Sequence, residues 1–176
     1  MDILSLEEIP DWRAFENLVA DYFREVKRDN EFNVDNVIVQ QTGTGTDGGR
    51  DILVEFTVDD SIMTFTRKWI IQCKFYEKDV NKTHLSDINI PSLLHEYGAE
   101  GYLLVCKNHY TSPVSDMFEG FNKNCLFKRS YSIWNGQSLL NRVRFKENII
   151  NSYFPKHSEY INREKIKTEQ MLKGLK

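Results

Sequence analysis

Cysteine is scarce in this chain of 176 residues: Cys73, Cys106 and Cys125 form an odd, scattered set with no Cys-x-x-Cys. That argues against a disulfide framework or a thiolate zinc site and favours reduced, mostly buried thiols. His84, His95, His109 and His157 show neither His-x-x-x-His nor a Cys/His spacing, so zinc catalysis has no candidate ligands. No apolar run is long enough for a membrane helix; Tyr102-Leu103-Leu104-Val105-Cys106 is the size of a core strand, and no membrane partner is expected. The start, Met1-Asp2-Ile3-Leu4-Ser5-Leu6-Glu7-Glu8, lacks the basic region and cleavage site of a signal peptide, so the expected compartment is the cytoplasm. Excess basic charge is missing too. The net charge of -3 argues mildly against a generic nucleic-acid binder, although a local basic patch suffices for phosphate contacts. Thr42-Gly43-Thr44-Gly45-Thr46 lacks the Gly-Lys-Ser/Thr of a phosphate-binding loop, and there is no Gly-x-Ser-x-Gly elbow.

What is present suits one domain with a sizeable core, with an appendage at the end. Asp11 to about Arg28 reads as an amphipathic helix: Phe15, Leu18, Val19, Tyr22, Phe23 and Val26 recur at helical spacing, and Asp11 is the expected N-cap. Glu16 falls in a row with Trp12, Val19 and Phe23, at the edge of the buried stripe. Val37-Ile38-Val39 predicts a short strand, Thr42 to Arg50 a glycine-rich surface loop, and Asp51 to Val58 a strand. Asp59-Asp60-Ser61 is a turn, Ile62 to Thr66 a further arm, and Trp69 to Tyr76 a strand apolar on both faces, hence central. Thr83 to Tyr97 reads as helical, interrupted near Pro91. Gly101 to Cys106 is a buried strand, Ser112-Pro113 starts a helix, Tyr131 to Trp134 is a last strand, and Gln137 to about Tyr153 a closing helix. This order implies an α/β sandwich, with a mixed central sheet between helices. After Pro155 the chain becomes charged, and residues 155–176 are expected to be an exposed helix, a linker or a docking segment.

Two short motifs carry chemistry. Gly45-Thr46-Asp47-Gly48-Gly49-Arg50-Asp51 brings a carboxylate to the entry of a strand. Gln72-Cys73-Lys74 puts an amide oxygen and a lysine two residues apart, on one face of another strand, with Cys73 on the opposite face. If the strands are neighbours, Asp51, Gln72 and Lys74 converge. An acid, an oxygen donor and a cation at one point are what metal-dependent phosphodiester cleavage requires. Taken singly, each has a bland role: Asp51 and Asp47 as turn residues, Lys74 and Gln72 as exposed strand positions, Glu16 as a helix acid. Lys107 and His109, just after a strand, read as a solvated loop. Lys68, Lys78 and Lys82, with Arg50 and Arg67, cluster in sequence around the motifs and read first as a solvated face.

The ordered set resembles the Mrr-like restriction endonucleases of the PD-(D/E)xK nuclease superfamily. The resemblance rests on Phe15-Glu16, Asp47-Gly48-Gly49-Arg50-Asp51 and Gln72-Cys73-Lys74-Phe75-Tyr76. Gly98 to Cys106 and Trp134-Asn135-Gly136 before Leu139-Leu140 add to it. It covers roughly residues 11 to 153 and implies a restriction-endonuclease-like fold, with a nuclease domain over 1–154. It further implies a divalent metal, usually Mg2+ with Mn2+ as substitute, held by Asp51, Gln72, the Cys73 backbone carbonyl and Glu16. Lys74 would act on the attacking water. Gln72 stands where a second acid is common in the wider superfamily, so metal binding should lean on Asp51. The implied activity is Mg-dependent cleavage within duplex DNA, as an effector in bacterial defence against foreign DNA. A homo-oligomer is expected because one site cuts one strand, and a sensor or specificity domain is expected beyond the tail. Two rivals stay open: a non-catalytic nucleic-acid-binding or assembly module that retains the fold, and a structure-selective resolvase or RNase.

Overall fold

The structure is a computed structural model, and it describes residues 4–26, 34–42 and 49–174. A five-stranded mixed sheet runs in chain order: β1 (Val34–Gln41), β2 (Ile52–Asp59), β3 (Thr64–Lys74), β4 (Gly101–Cys106) and β5 (Ser130–Trp134). The pairs β1–β2 and β2–β3 are antiparallel, whereas β3–β4 and β4–β5 are parallel. β3 is therefore the middle strand, as its two-sided apolar run predicts.

One face carries α1 (Trp12–Val26), α4 (Gly136–Val143) and α5 (Glu147–Tyr153). Phe15, Leu18, Val19 and Phe23 of α1 pack there on Ile52, Val54, Ile71, Leu103 and Val105. The other face carries α2 (Ile90–Glu96) and α3 (Ser112–Asn124), whose Leu93, Leu94, Val114 and Phe118 cover Ile70, Tyr102, Leu104 and Cys106. Both cores close over a sheet whose fourth strand is buried at every position. The α/β sandwich read from the sequence is the observed architecture.

Local chemistry explains most element ends. The Asp11 carboxylate accepts from the Ala14 N–H at 2.8 Å and caps α1. In the β2–β3 turn, Asp59 accepts from the Ser61 N–H, and Asp60 accepts from those of Ile62 and Met63, which holds Ser61 at φ 72°. Asn89 and Asn135 cap α2 and α4 by accepting from Ser92 and Ser138.

Several boundaries differ from expectation. The arm expected at Ile62 to Thr66 and the strand expected from Trp69 are one strand of 11 residues from Thr64, because β2 pairs with it without a break from Thr64 to Ile71. β1 is longer than Val37-Ile38-Val39 for the same reason. The helical stretch from Thr83 divides into a 3-10 turn (Lys82–Leu85) and α2, with Pro91 at the start of α2, where its missing N–H costs nothing. The closing helix is two helices. α4 stops at Val143 and the chain turns through exposed Phe145 before α5. The tail is a helix, α6 (Pro155–Gly174), whose first turns rest on the body through buried His157 and through Ile161, while Ile166, Met171 and Leu172 are exposed.

Candidate active site

The carboxyl end of β3, beside the entry to β2, assembles the residues singled out in the sequence. The antiparallel register of β2 and β3 ends with Ile52 opposite Ile71, which leaves Asp51 beside the last residues of β3. Asp51 is tied in by its backbone: its N–H donates to the Ile71 carbonyl at 3.0 Å, and its carbonyl accepts from the Thr42 N–H at 3.0 Å. Its carboxylate Oδ2 accepts from the Cys73 N–H at 2.6 Å, a charge-assisted bond that fixes the side chain between the two strands. An extended residue directs its N–H and C=O to the same side, so the Cys73 carbonyl is also directed toward β2.

Gly49 explains part of the glycine-rich approach. Its φ is +97°, and a Cβ there would come within 2.7 Å of the Ile88 side chain. The chain can thus lie against the segment before α2 only without a side chain at this position. Arg50 follows, with its guanidinium 4.3 Å from the centre of the Tyr97 ring. Gly45, Thr46, Asp47 and Gly48 lie outside the described residues.

Gln72 and Lys74 share the face of Ile70, opposite Leu104 and Cys106 of β4. Gln72 is 5% exposed, and its Oε1 accepts from the Tyr102 hydroxyl at 2.6 Å. Lys74 is half-buried, with Nζ 5.9 Å from the Tyr76 ring centre. Cys73 faces the opposite way, among the core side chains under α1. Burial, then the charge of Asp51, then that of Glu16 hold its thiol well above the usual range. Both carboxylates therefore act on the same point of β3. Phe15, 5.5 Å from Phe75, sets this turn of α1 over the strand end, and half-buried Glu16 follows it.

The structure thus brings together Asp51, Gln72 and the Cys73 backbone, places Lys74 on the same face and brings Glu16 near from the helix. As a metal site the donor set is all oxygen, which suits a hard cation such as Mg2+. Among the described residues no group of three His, Cys, Asp or Glu side chains is placed to hold a metal. The fit rests on two carboxylates, one amide and one carbonyl.

Three features escaped the sequence reading. Tyr102 looked like core and also holds Gln72; no spacing rule links residues 30 apart on parallel strands. Lys107 is no solvated loop residue: it is 4% exposed, 2.5 Å from Glu77 and 3.5 Å from Glu7. The sequence cluster of basic residues is not one patch either. Lys68 lies 3.7 Å from Glu55, and Arg67 donates to Ser130, about 20 Å along β3 from Lys74.

The chain is similar to a 27-mer oligonucleotide complex of the MspJI restriction endonuclease, at 13% identity and TM-score 0.49, over 80% of this chain and 34% of that one. It is similar also to AspBHI, a DNA modification-dependent restriction endonuclease, at 14% identity and TM-score 0.46, over 91% of this chain and 41% of that one. The chain accordingly spans well under half the length of either. No curated protein matches it. The family model of the Mrr catalytic domain, a restriction endonuclease, matches residues 8–143, most of the chain and all of the site. The chain belongs to this restriction endonuclease family.

Proposed function

We propose that the chain is a divalent-metal-dependent endodeoxyribonuclease that hydrolyses phosphodiester bonds of duplex DNA, with Asp51, Gln72, Lys74 and Glu16 at its site. The observation that carries this reading is the bond that ties the Asp51 carboxylate to the Cys73 N–H, between Gln72 and Lys74 on β3. Asp51 would hold Mg2+, or Mn2+ in its place, together with Gln72 Oε1, the Cys73 carbonyl and Glu16. When bound, such a cation lowers the pKa of water and polarises a phosphoryl oxygen. Asp51 is kept ready by its bond from Cys73, which holds the carboxylate without neutralising it. Lys74 orients the attacking water, aids its deprotonation and offsets charge that develops on the phosphate. Cys73 contributes its backbone alone, because its thiol stays protonated.

One site cuts one strand, so double-strand cleavage calls for a homo-oligomer. The nuclease unit is taken as residues 1–154, with 155–176 as the connection to a sensor or specificity domain. The role is that of an effector in bacterial defence against foreign DNA, acting in the cytoplasm.

The test is incubation of supercoiled plasmid with Mg2+, with and without EDTA, alongside branched DNA and RNA. The expected result is nicked and linear plasmid with Mg2+ and intact plasmid with EDTA. Cleavage unaffected by EDTA would remove the metal from the reading, and preference for branched DNA or RNA would replace it with a resolvase or ribonuclease.

A further inference from the structure

Gln72 is the least expected member of the site, and the structure gives it a partner. Tyr102 stands on β4 opposite Ile70, and Gln72 stands on β3 opposite Leu104. The two therefore share a face, one step apart along parallel strands. The Tyr102 hydroxyl donates to Gln72 Oε1 at 2.6 Å, Tyr102 is fully buried and Gln72 is 5% exposed. The Tyr102 ring is fixed by Phe118, 6.1 Å away between ring centres. In such surroundings an amide without a partner is costly, so the hydroxyl decides how the amide lies.

The bond has a chemical consequence. The oxygen that Gln72 would offer to a cation is the oxygen that Tyr102 now occupies. A phenol can both donate and accept, so an amide turned over about its last bond still has a partner: its N–H then donates to the Tyr102 oxygen and its own oxygen is released. Phenylalanine would fill the same space and offer neither.

We propose that Tyr102 is a positioning residue of the site, its buried hydroxyl holding the Gln72 amide in either of two orientations and so allowing Gln72 to present its oxygen to a divalent cation. This rests on the reading that Asp51 and Gln72 hold the metal. Tyr102 touches neither substrate nor cation; it acts through Gln72.

The experiment is Mn2+ binding by calorimetry to the full chain without DNA. It compares the unsubstituted protein, Asp51→Ala, Tyr102→Phe, Gln72→Glu and the double variant Gln72→Glu/Tyr102→Phe, each checked for its melting temperature. Tyr102→Phe is expected to weaken Mn2+ binding by about 10-fold or more, the scale seen when a partner of a metal ligand is removed. In the Gln72→Glu background the same change is expected to cost about 2-fold or less, because a carboxylate has two equivalent oxygens and no orientation to choose. A merely structural tyrosine would lower the melting temperature in both backgrounds and leave the Mn2+ affinity of the folded protein alone. That result, with binding lost in Asp51→Ala, overturns the proposal and leaves the site standing. Equal binding by Asp51→Ala and the unsubstituted protein overturns the site and the proposal with it. Should Tyr102→Phe fail to fold, the unsubstituted protein still decides. Its Gln72 side-chain amide resonances are expected to shift on Mg2+ saturation, and unshifted resonances overturn the proposal.

Discussion

Lys74 and Lys107 end neighbouring parallel strands, joined by a bond from the Lys107 N–H to the Lys74 carbonyl, yet their surroundings are opposite. Lys107 is enclosed. Its ammonium lies 2.5 Å from Glu77 and 3.5 Å from Glu7, over the Phe75 ring, and it joins an amino-terminal 3-10 turn (Leu6–Glu8) and the loop after β3 to the end of β4. Lys74 has a tyrosine ring beside it and Cys106 across from it. Burial pushes the Cys106 thiol up to about 12, so it stays neutral and supplies no counter-charge. A lysine between two glutamates fixes structure. Lys74, with no glutamate among the described residues holding it in this way, is the lysine proposed to meet a phosphate. Position at a strand end alone does not separate the two roles.

The contrast yields predictions of decreasing size. Lys74→Ala should lower plasmid cleavage by about 10²- to 10⁴-fold, the range of a lost proton-transfer or charge-stabilising group, with the urea midpoint unmoved. A large loss of stability instead would make Lys74 structural and erase the contrast. Gly136→Ala should act on the Lys107 side. A Cβ there would lie 1.9 Å from the Lys107 carbonyl oxygen, so backbone must shift, at a cost of about 3 kcal/mol in chemical denaturation. Lys107→Met should cost less, about 1 kcal/mol, since both glutamates are solvent-exposed and the apolar stem is retained.

Lys107 also carries a pH signature. Burial lowers its pKa, but the bond to Glu77 and the charges of Glu7 and Glu77 outweigh this, so the folded value lies above the ordinary one. The ion pair's contribution is thus complete below about pH 10.4 and is lost as pH rises through the folded value. The urea midpoint of the unsubstituted protein should fall in that alkaline window, and Lys107→Met should lack this part of the fall. The smallest effect sharpens the Lys74 side: Cys106 should resist iodoacetamide at about pH 9 in the folded protein, because the thiolate is the reactive form. Rapid labelling there would mean an ionised neighbour for Lys74.

Much of this was legible in the sequence where periodicity or local chemistry decides. The α1 stripe, the all-buried run of β4 and the Gln72/Lys74 alternation follow from spacing alone. What depends on pairing was not legible. Ile62 to Trp69 reads as two pieces until β2 is laid beside it, and the break at Arg144 to Lys146 has neither glycine nor proline to mark it. The same limit applied to the site. Asp51 and the Gln-x-Lys pair announced themselves by residue type. Tyr102, Lys107 and the need for Gly136 arise from β4 lying against β3 and α4, at separations that no local pattern carries. Trp134-Asn135-Gly136 was noticed as a resemblance, and the structure supplies its cause: Asn135 caps α4, and Gly136 admits the Lys107 carbonyl.

In the proposed reaction the carboxylate of Asp51, at the entry to β2 and the carboxyl end of β3, is what makes this place a nuclease site. The direct measurement is the initial rate of Mg2+-dependent plasmid cleavage by Asp51→Asn beside the unsubstituted protein, each first shown to be folded by its melting curve. Asparagine keeps the shape and an oxygen to accept from Cys73 but removes the charge. A folded variant with cleavage abolished is expected; a folded variant that cleaves at the unsubstituted rate would remove Asp51 from the site.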